Sequence, residues 1–352
     1  MVEKWLLAGS NAHGVVGKTD GDCRRFTAIT DTDGAVIDGT AEVLFVCWSQ
    51  VVCTIDYPSG CSVRQVFGDH NGIAGVLDHD GKIYMSKEDF KTTAGPPHLN
   101  LLSLNGNQPV SHITVAGNGR VAVALKSDLS TDSTLVEEFE DIHHFKARYD
   151  TGGEQQGHQR GKQYTIPGQL RDLTSNNSIF ACLTESGEVF TWGDARYHGL
   201  GRSIHGPTDS PKDQPGVVES LGGIKIVKLC ADGWIFAALS EDKAVYLFAA
   251  LTPGGEHTLR LEGDVQAGGM SLVDIPDAQG NPHDFDDIAI GSGHVLLLCT
   301  SGSVSAIGDN KAGQIGTGSL TEHIDQWTEV LSGGCLSIKA GARISLLRAV
   351  TS

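Results

Sequence analysis

The densest grouping of reactive side chains is the stretch VEEFEDIHHF, where Glu137, Glu138, Glu140 and Asp141 precede His143 and His144. Carboxylates beside imidazoles are a metal-binding combination. Adjacent histidines diverge on a helix or a strand, however, so the sequence predicts no metal site there. The stretch GSNAHGVVG near the start has the look of a nucleotide-binding glycine loop. Such a loop needs a helix after its glycines, so that phosphates meet the helix N-terminus. Here β-type sequence follows, and the glycines read as turn residues.

The eight cysteines include no C-x-x-C pair. Cys47, Cys53 and Cys61 lie close together but have no histidine at ligand spacing. Cys182, Cys230 and Cys299 sit in apolar runs such as HVLLLCTS and read as reduced, buried small hydrophobes. No G-x-S-x-G, H-E-x-x-H or P-loop occurs. The expectation is a protein without catalysis, cofactor or resident metal.

The elements around these residues repeat. Gly308, Asn310, Gly313 and Gly316 fall on Gly9, Asn11, Gly14 and Gly17 with identical spacing. The best-formed copy is SIFACLTESGEVFTWGDARYHGLG, residues 178–201, which reads as strand, turn, strand and glycine-rich turn. HVLLLCTSGSVSAIGDNKAGQIG, residues 294–316, matches it at Gly302, Val304 and Gly308. WIFAALSEDKAVYLFA keeps the two strands without the later glycines. Weaker copies span 50–72, 72–85 and 113–128, and LSIKAGARISLLRAV, 336–350, resembles the strand pair that opens a copy. The stretch STLVEEFEDIHHF alone has the makings of a helix of some length.

A period of roughly 50–60 residues, all β and rich in glycine turns, points to propeller blades. The fold class expected is an all-β, seven-bladed β-propeller, with six blades also compatible, in a single domain over 1–352. The C-terminus supplies the first strands of a blade and the N-terminus its second half. One blade is thus closed by both ends of the chain, which removes two sheet edges. Residues 127–168, rich in polar residues, read as an insertion whose tip near 150–163 moves. Trp192 is expected to pack between blades.

The pattern resembles the repeat of the regulator of chromosome condensation family, carried by GEVFTWGDARYHGLG, GSVSAIGDNKAGQIG and AGSNAHGVVG. The resemblance implies a seven-bladed propeller. A short, acidic, degenerate chain of this kind is similar to the fungal alpha-tubulin suppressor type. That resemblance implies a small zinc-binding electron-transfer protein as partner. It also implies a role in diphthamide synthesis and in Elongator-dependent modification of wobble uridine in tRNA. The alternative it implies is a nucleotide-exchange factor for a small GTPase, with VEEFEDIHHF as the acidic element.

The net charge is −17. It opposes direct binding to nucleic acid or an anionic membrane and is compatible with a protein partner. No run of 18 apolar residues is present, and the expected location is the cytoplasm, with the nucleus as a further compartment. Equivalent turns of a repeat point the same way, which would gather Asn11, His13, Asp69, His70, Asp194, Arg196, Tyr197, His198, Asp309, Asn310 and Lys311 on one face. That face would grip a partner; alternatively, Asn11 and Asn310 cap their own turns. Trp48 and Trp234 read either as core or as binding anchors.

Overall fold

The computed structural model describes residues 2–11, 21–30, 36, 39, 41–47, 51–53, 62–86, 99–102, 109–126, 132–149, 161–196, 199–207, 209–249, 259, 270–276 and 279–351. The chain forms two compact units. The first comprises 1–55, 196–199 and 227–352, and the second 56–195 and 200–226.

The second unit carries three four-stranded sheets. In the first, β5 (Val63–Asp69), β6 (Gly72–Asp78), β7 (Ile83–Ser86) and β8 (Leu99–Leu102) lie side by side in chain order. The second holds β9 (Val110–Val115), β10 (Val121–Leu125), β11 (Ser133–Phe139) and β12 (Lys162–Pro167). The third holds β13 (Leu170–Ser175), β14 (Ile179–Thr184), β15 (Val189–Gly193) and β16 (Gly216–Val217). The middle strands β10 and β14 are buried along their whole length. They therefore read as continuous apolar runs and not as alternating ones.

The first unit carries the remaining sheets. One holds β17 (Ile226–Asp232), β18 (Ile235–Ser240), β19 (Val245–Ala249) and β20 (Met270–Leu272), with Ile226 itself in the second unit. Another holds β21 (Phe285–Gly291), β22 (His294–Cys299), β23 (Val304–Asp309) and β24 (His323–Leu331). A third draws β1 (Val2–Gly9) and β2 (Cys23–Ala28) from the start of the chain and β25 (Cys335–Gly341) and β26 (Ile344–Thr351) from its end, in the order β2-β1-β26-β25. β1 and β26 are antiparallel and in continuous register from Val2 opposite Thr351 to Gly9 opposite Ile344. The blade shared by head and tail is therefore formed. The ladder of β3 (Val43–Val46) and β4 (Val51–Cys53) has two strands among the described residues, so six sheets are complete there.

Three sequence expectations change. The copy assigned to 50–72 straddles two sheets: β4 pairs with β3, whereas β5 pairs with β6. The segment 127–168 is not one polar insertion. Within it β11 and β12 complete the blade begun by β9 and β10, and only what lies between them is inserted. STLVEEF is strand β11, and the helix α1 starts later, at Ile142–Tyr149. Averaged over forty residues, the polar composition hides the short β-branched stretch that buries Thr134 and Val136.

The helix begins where Asp141 caps it, its Oδ1 accepting from the backbone N–H of His143 at 2.8 Å and His144 at 2.9 Å. Ile142, Phe145 and Tyr149 form its buried stripe. They pack with Phe67 and Leu77 of one blade and Ile113, Val123 and Phe139 of the next.

Candidate functional site

The glycine shared by the ends of the third strands β1, β15 and β23 has one physical cause. Gly9, Gly193 and Gly308 have φ of +120°, +136° and +113°. A Cβ on any of them would run into a backbone carbonyl of the adjoining hairpin: Arg343, Ser178 and Gly293 respectively. Glycine is needed both for the left-handed φ and for the close approach. It also fixes the direction in which the following loop leaves the sheet.

In the first unit these loops bring several predicted residues to one end of neighbouring sheets. Asn11 follows β1, and Asp309, Asn310 and Lys311 follow β23 or end it. Gly9 pairs with Ile344, and Gly308 pairs with His294. Trp234, half-buried, lies on the β17–β18 turn, where Gly233 approaches Ser292 of the β21–β22 turn. Arg196, exposed, also belongs to this unit. In the second unit Asp69 and exposed His70 open the β5–β6 turn, and Asp194 follows β15. His13, Trp48, Tyr197 and His198 lie outside the described residues.

The chemistry of these residues is unequal. Asn310 is buried and serves its own loop. Its Oδ1 accepts from Ile315 N at 3.1 Å, and its Nδ2 donates to Thr321 O at 2.8 Å. Gln314, also buried, accepts from Ala312 N at 2.9 Å and donates to Asp309 at 3.2 Å. Asn11 is buried as well, and its N–H donates to Asp22 Oδ1 at 3.2 Å. Asp69 accepts from the N–H and Nδ2 of Asn71 at 2.8 and 3.1 Å. His70 and Lys311 are exposed and available for contact.

Sequence reasoning missed the residue that builds the loop after β15. Arg202 is buried, and its guanidinium donates to the carbonyls of Thr191, Ser210, Pro211 and Gln214 at 2.7–3.1 Å, and to Ser203 O at 3.3 Å. Burial lowers its pKa, while Glu219 and Asp209 oppose that shift. Ala195 stands where the other copy has Asn310, so the loop-holding task has moved from an amide to a guanidinium. No local spacing signals this, because the acceptors are backbone groups.

The acidic stretch is also reassigned. Glu137 and Glu138 are successive residues of β11 and therefore point to opposite faces of the blade. Both are buried. Glu137 accepts from Tyr149 Oη at 2.9 Å and Gln163 Nε2 at 2.8 Å. Glu138 accepts from Trp192 Nε1 at 2.8 Å and pairs with Arg120. Neither is free to act as an acidic wedge. Trp192 is fully buried between blades, against Ala122 and Val136 of one and Phe180 and Cys182 of the next. Among the described residues no three metal-ligating side chains converge.

Two histidines are held in the core. Burial lowers the pKa of His294 to about 4 and, with help from Arg64, that of His112 to about 4. His294 Nε2 is 3.0 Å from Ser345 Oγ, joining the β21–β24 sheet to the head-and-tail sheet.

The fold formed by these sheets is an all-β propeller of the RCC1-like kind. Residues 186–239 match the regulator of chromosome condensation (RCC1) repeat. Prp20p from Saccharomyces cerevisiae, reported with its binding properties to Gsp1p and histones, has the same fold. It aligns with a TM-score of 0.65 and 12% identity over 100% of this chain and 92% of Prp20p. In sequence the chain is similar to the Homo sapiens E3 ubiquitin-protein ligase HERC2, 30% identical over 181 residues, covering 49% of this chain and 4% of that protein. It is also similar to the Arabidopsis thaliana RCC1 domain-containing protein RUG3, mitochondrial, 26% identical over 157 residues, covering 43% of this chain and 33% of that protein. The chain thus spans a third or less of the length of these curated relatives.

Proposed function

We propose that the chain is a non-catalytic propeller that binds and regulates a protein partner through the loops at the ends of its third strands. The observation that carries this reading is how those loops are built. Asn310 with Gln314, and Arg202, hold the two best-described loops from within. Loops fixed before contact lose little conformational entropy on binding, which favours affinity. The side chains assigned to contact are, in the first unit, exposed Arg196 and Lys311 with half-buried Trp234 and Asp309 and, in the second unit, exposed His70 with half-buried Asp69 and Asp194; Trp234, Asp69 and His70 stand on the first hairpin turns of their sheets. The RCC1-like fold supports the reading, since Prp20p is a propeller studied for binding other proteins.

The partner assigned is a small zinc-binding electron-transfer protein, in support of Elongator-dependent wobble-uridine modification and diphthamide synthesis in the cytoplasm. This assignment rests on the resemblance to the alpha-tubulin suppressor type. Affinity purification of the full chain from cell extract tests it, with mass spectrometry and zinc analysis of what co-purifies. Recovery of a stoichiometric small zinc protein is expected; its absence beside another stoichiometric protein would keep the binding role and remove this partner.

The second reading, exchange on a small GTPase, is supported by the RCC1-like fold; of its acidic element Glu137 and Glu138 are buried, while Glu140 is exposed and Asp141 caps the helix. Release of labelled guanine nucleotide from purified GTPases measures it. Unchanged release across a panel removes it.

A further inference from the structure

A serine stands directly before a proline in the loop that Arg202 holds. Residues 209–214 of this loop lie in neither helix nor strand, and Pro211, Lys212, Asp213 and Gln214 are exposed. Ser210 itself is half-buried. Its carbonyl accepts from Arg202 Nη1 at 2.7 Å. Its hydroxyl has no hydrogen-bond partner among the described residues, and it reaches solvent.

These properties suit the hydroxyl to phosphoryl transfer. Proline fixes its own φ and disfavours helical backbone in the residue before it, so Ser210 and Pro211 read as an extended dipeptide. Pro211 also has no N–H to leave unpaired when the dipeptide enters an apolar cleft. An unbonded hydroxyl gives up no internal hydrogen bond when it is recruited. The neighbours then decide what a phosphate would do. Asp209 precedes Ser210, and its carboxylate accepts from Gly206 N at 2.7 Å. Arg202 Nη2 reaches past the serine to Pro211 O at 3.0 Å and Gln214 O at 2.9 Å.

We propose that Ser210 is a phosphorylation site of a proline-directed protein kinase, and that its phosphate releases the Arg202 clamp on this loop. In the transfer Ser210 Oγ bonds to the γ-phosphorus of Mg·ATP. The bridge from that phosphorus to the β-phosphate breaks, ADP leaves, and the hydroxyl proton passes to the kinase's base. The product carries about two negative charges and three strong acceptor oxygens, next to Asp209 in the chain. Charge-assisted hydrogen bonds are about twice as strong as neutral ones, so the guanidinium turns from the carbonyls of Pro211 and Gln214 to the phosphate. Repulsion from Asp209 adds to the loosening. Tyr164 Oη, donating to Asp213 O at 2.9 Å, and Gly193 N, donating to Lys212 O at 2.7 Å, keep the far end of the loop on its sheet. Neither step requires the partner proposed above.

The test incubates the full chain with Mg·ATP and a kinase of the cyclin-dependent type, or with a kinase that selects arginine before the serine, and maps phosphate by mass spectrometry. Phosphate at Ser210 from the first kinase alone is expected, absent in S210A and strongly reduced in P211A, which keeps the carbonyl that Arg202 binds. A Ser-Pro peptide in the same reaction certifies the kinase. Subtilisin should then cut within 209–214 severalfold faster in the phosphorylated chain, while the melting temperature stays unchanged, since loops open before the sheets do. Phosphorylation should add nothing to the cleavage rate of R202Q, whose clamp is already gone. An active kinase that leaves Ser210 unmodified, or modifies P211A as readily as the native chain, would overturn the site. A phosphorylated chain cut at the native rate or more slowly would overturn the release of the clamp.

Discussion

The indole Nε1 of Trp192 donates to Glu138 Oε2 at 2.8 Å, and this bond ties two blades together. The carboxylate is buried on β11, while the indole comes from β15. Arg120 completes the arrangement, pairing with Glu138 and lying over the Phe180 ring at 5.2 Å. A buried carboxylate is stable only when its lone pairs are met. The tryptophan of the repeat thus does two things here: it fills the space between blades and it satisfies a charge.

Replacing Trp192 separates these roles. W192F keeps an aromatic ring but removes the donor, and a loss of about 1–3 kcal/mol is expected from the under-satisfied carboxylate. W192A also leaves a cavity and should cost about 3–5 kcal/mol. Denaturant unfolding measures both. In a double-mutant cycle with E138Q, the coupling should be about 0.5–3 kcal/mol. Additivity would show that the bond contributes nothing.

The head-and-tail sheet makes the first strand a structural element of the whole first unit. Leu7 is fully buried and faces Leu346 across the β1–β26 ladder. Removal of residues 2–9 would leave β26 and β2 with unpaired edges, which invite aggregation. The expected result is loss of a soluble monomer, read by size-exclusion chromatography and thermal melting. The milder change L7A should cost about 2–5 kcal/mol. A truncated chain that melts like the intact one would contradict the pairing.

How much of this was legible in the residues depends on the range of each cause. Gly9, Gly193 and Gly308 were legible, because the same close approach recurs and leaves a periodic mark. The pairing of the chain ends followed from the same period. The match at 186–239 runs from the β14–β15 turn to the end of β18, so the repeat in sequence is out of phase with the blade in space. Glu137 and Glu138 were misjudged, since acidic residues in a polar segment signal solvent unless their partners are known. Those partners, Tyr149, Gln163, Arg120 and Trp192, lie 12 to 54 residues away. Arg202 gave no signal at all, its partners being carbonyls that every residue carries.

The buried histidines set a pH dependence. His294 and His112 have folded pKa values lowered to about 4 against an ordinary 6.5. A depressed histidine pKa means that the unfolded chain binds the proton more readily. The associated stability is present above about pH 6.5 and declines as pH falls towards 4. Each histidine accounts for on the order of 3 kcal/mol across that window. Unfolding free energy followed from pH 7 to pH 4 should fall with a slope reporting close to two protons. In H294N the slope should drop by about one proton. A flat profile in the native chain would show that these imidazoles are solvated.

The loop after β15 offers the sharpest separation between local and global effects. Arg202 joins Thr191 on the strand to Ser203, Ser210, Pro211 and Gln214 on the loop. R202Q cannot span these acceptors and takes the guanidinium away from the carbonyl of buried Thr191, at a cost of about 1–3 kcal/mol. Because loops open locally before the sheets do, limited proteolysis should cut within 203–215 much faster in R202Q, while β13 to β15 stay protected from hydrogen exchange. N310A should act likewise on 311–322, by removing the amide that holds Ile315 N and Thr321 O. If the rigid loops present the binding residues, both variants should weaken partner retention without unfolding the sheets. Faster cleavage with undiminished retention would move the binding surface away from these loops.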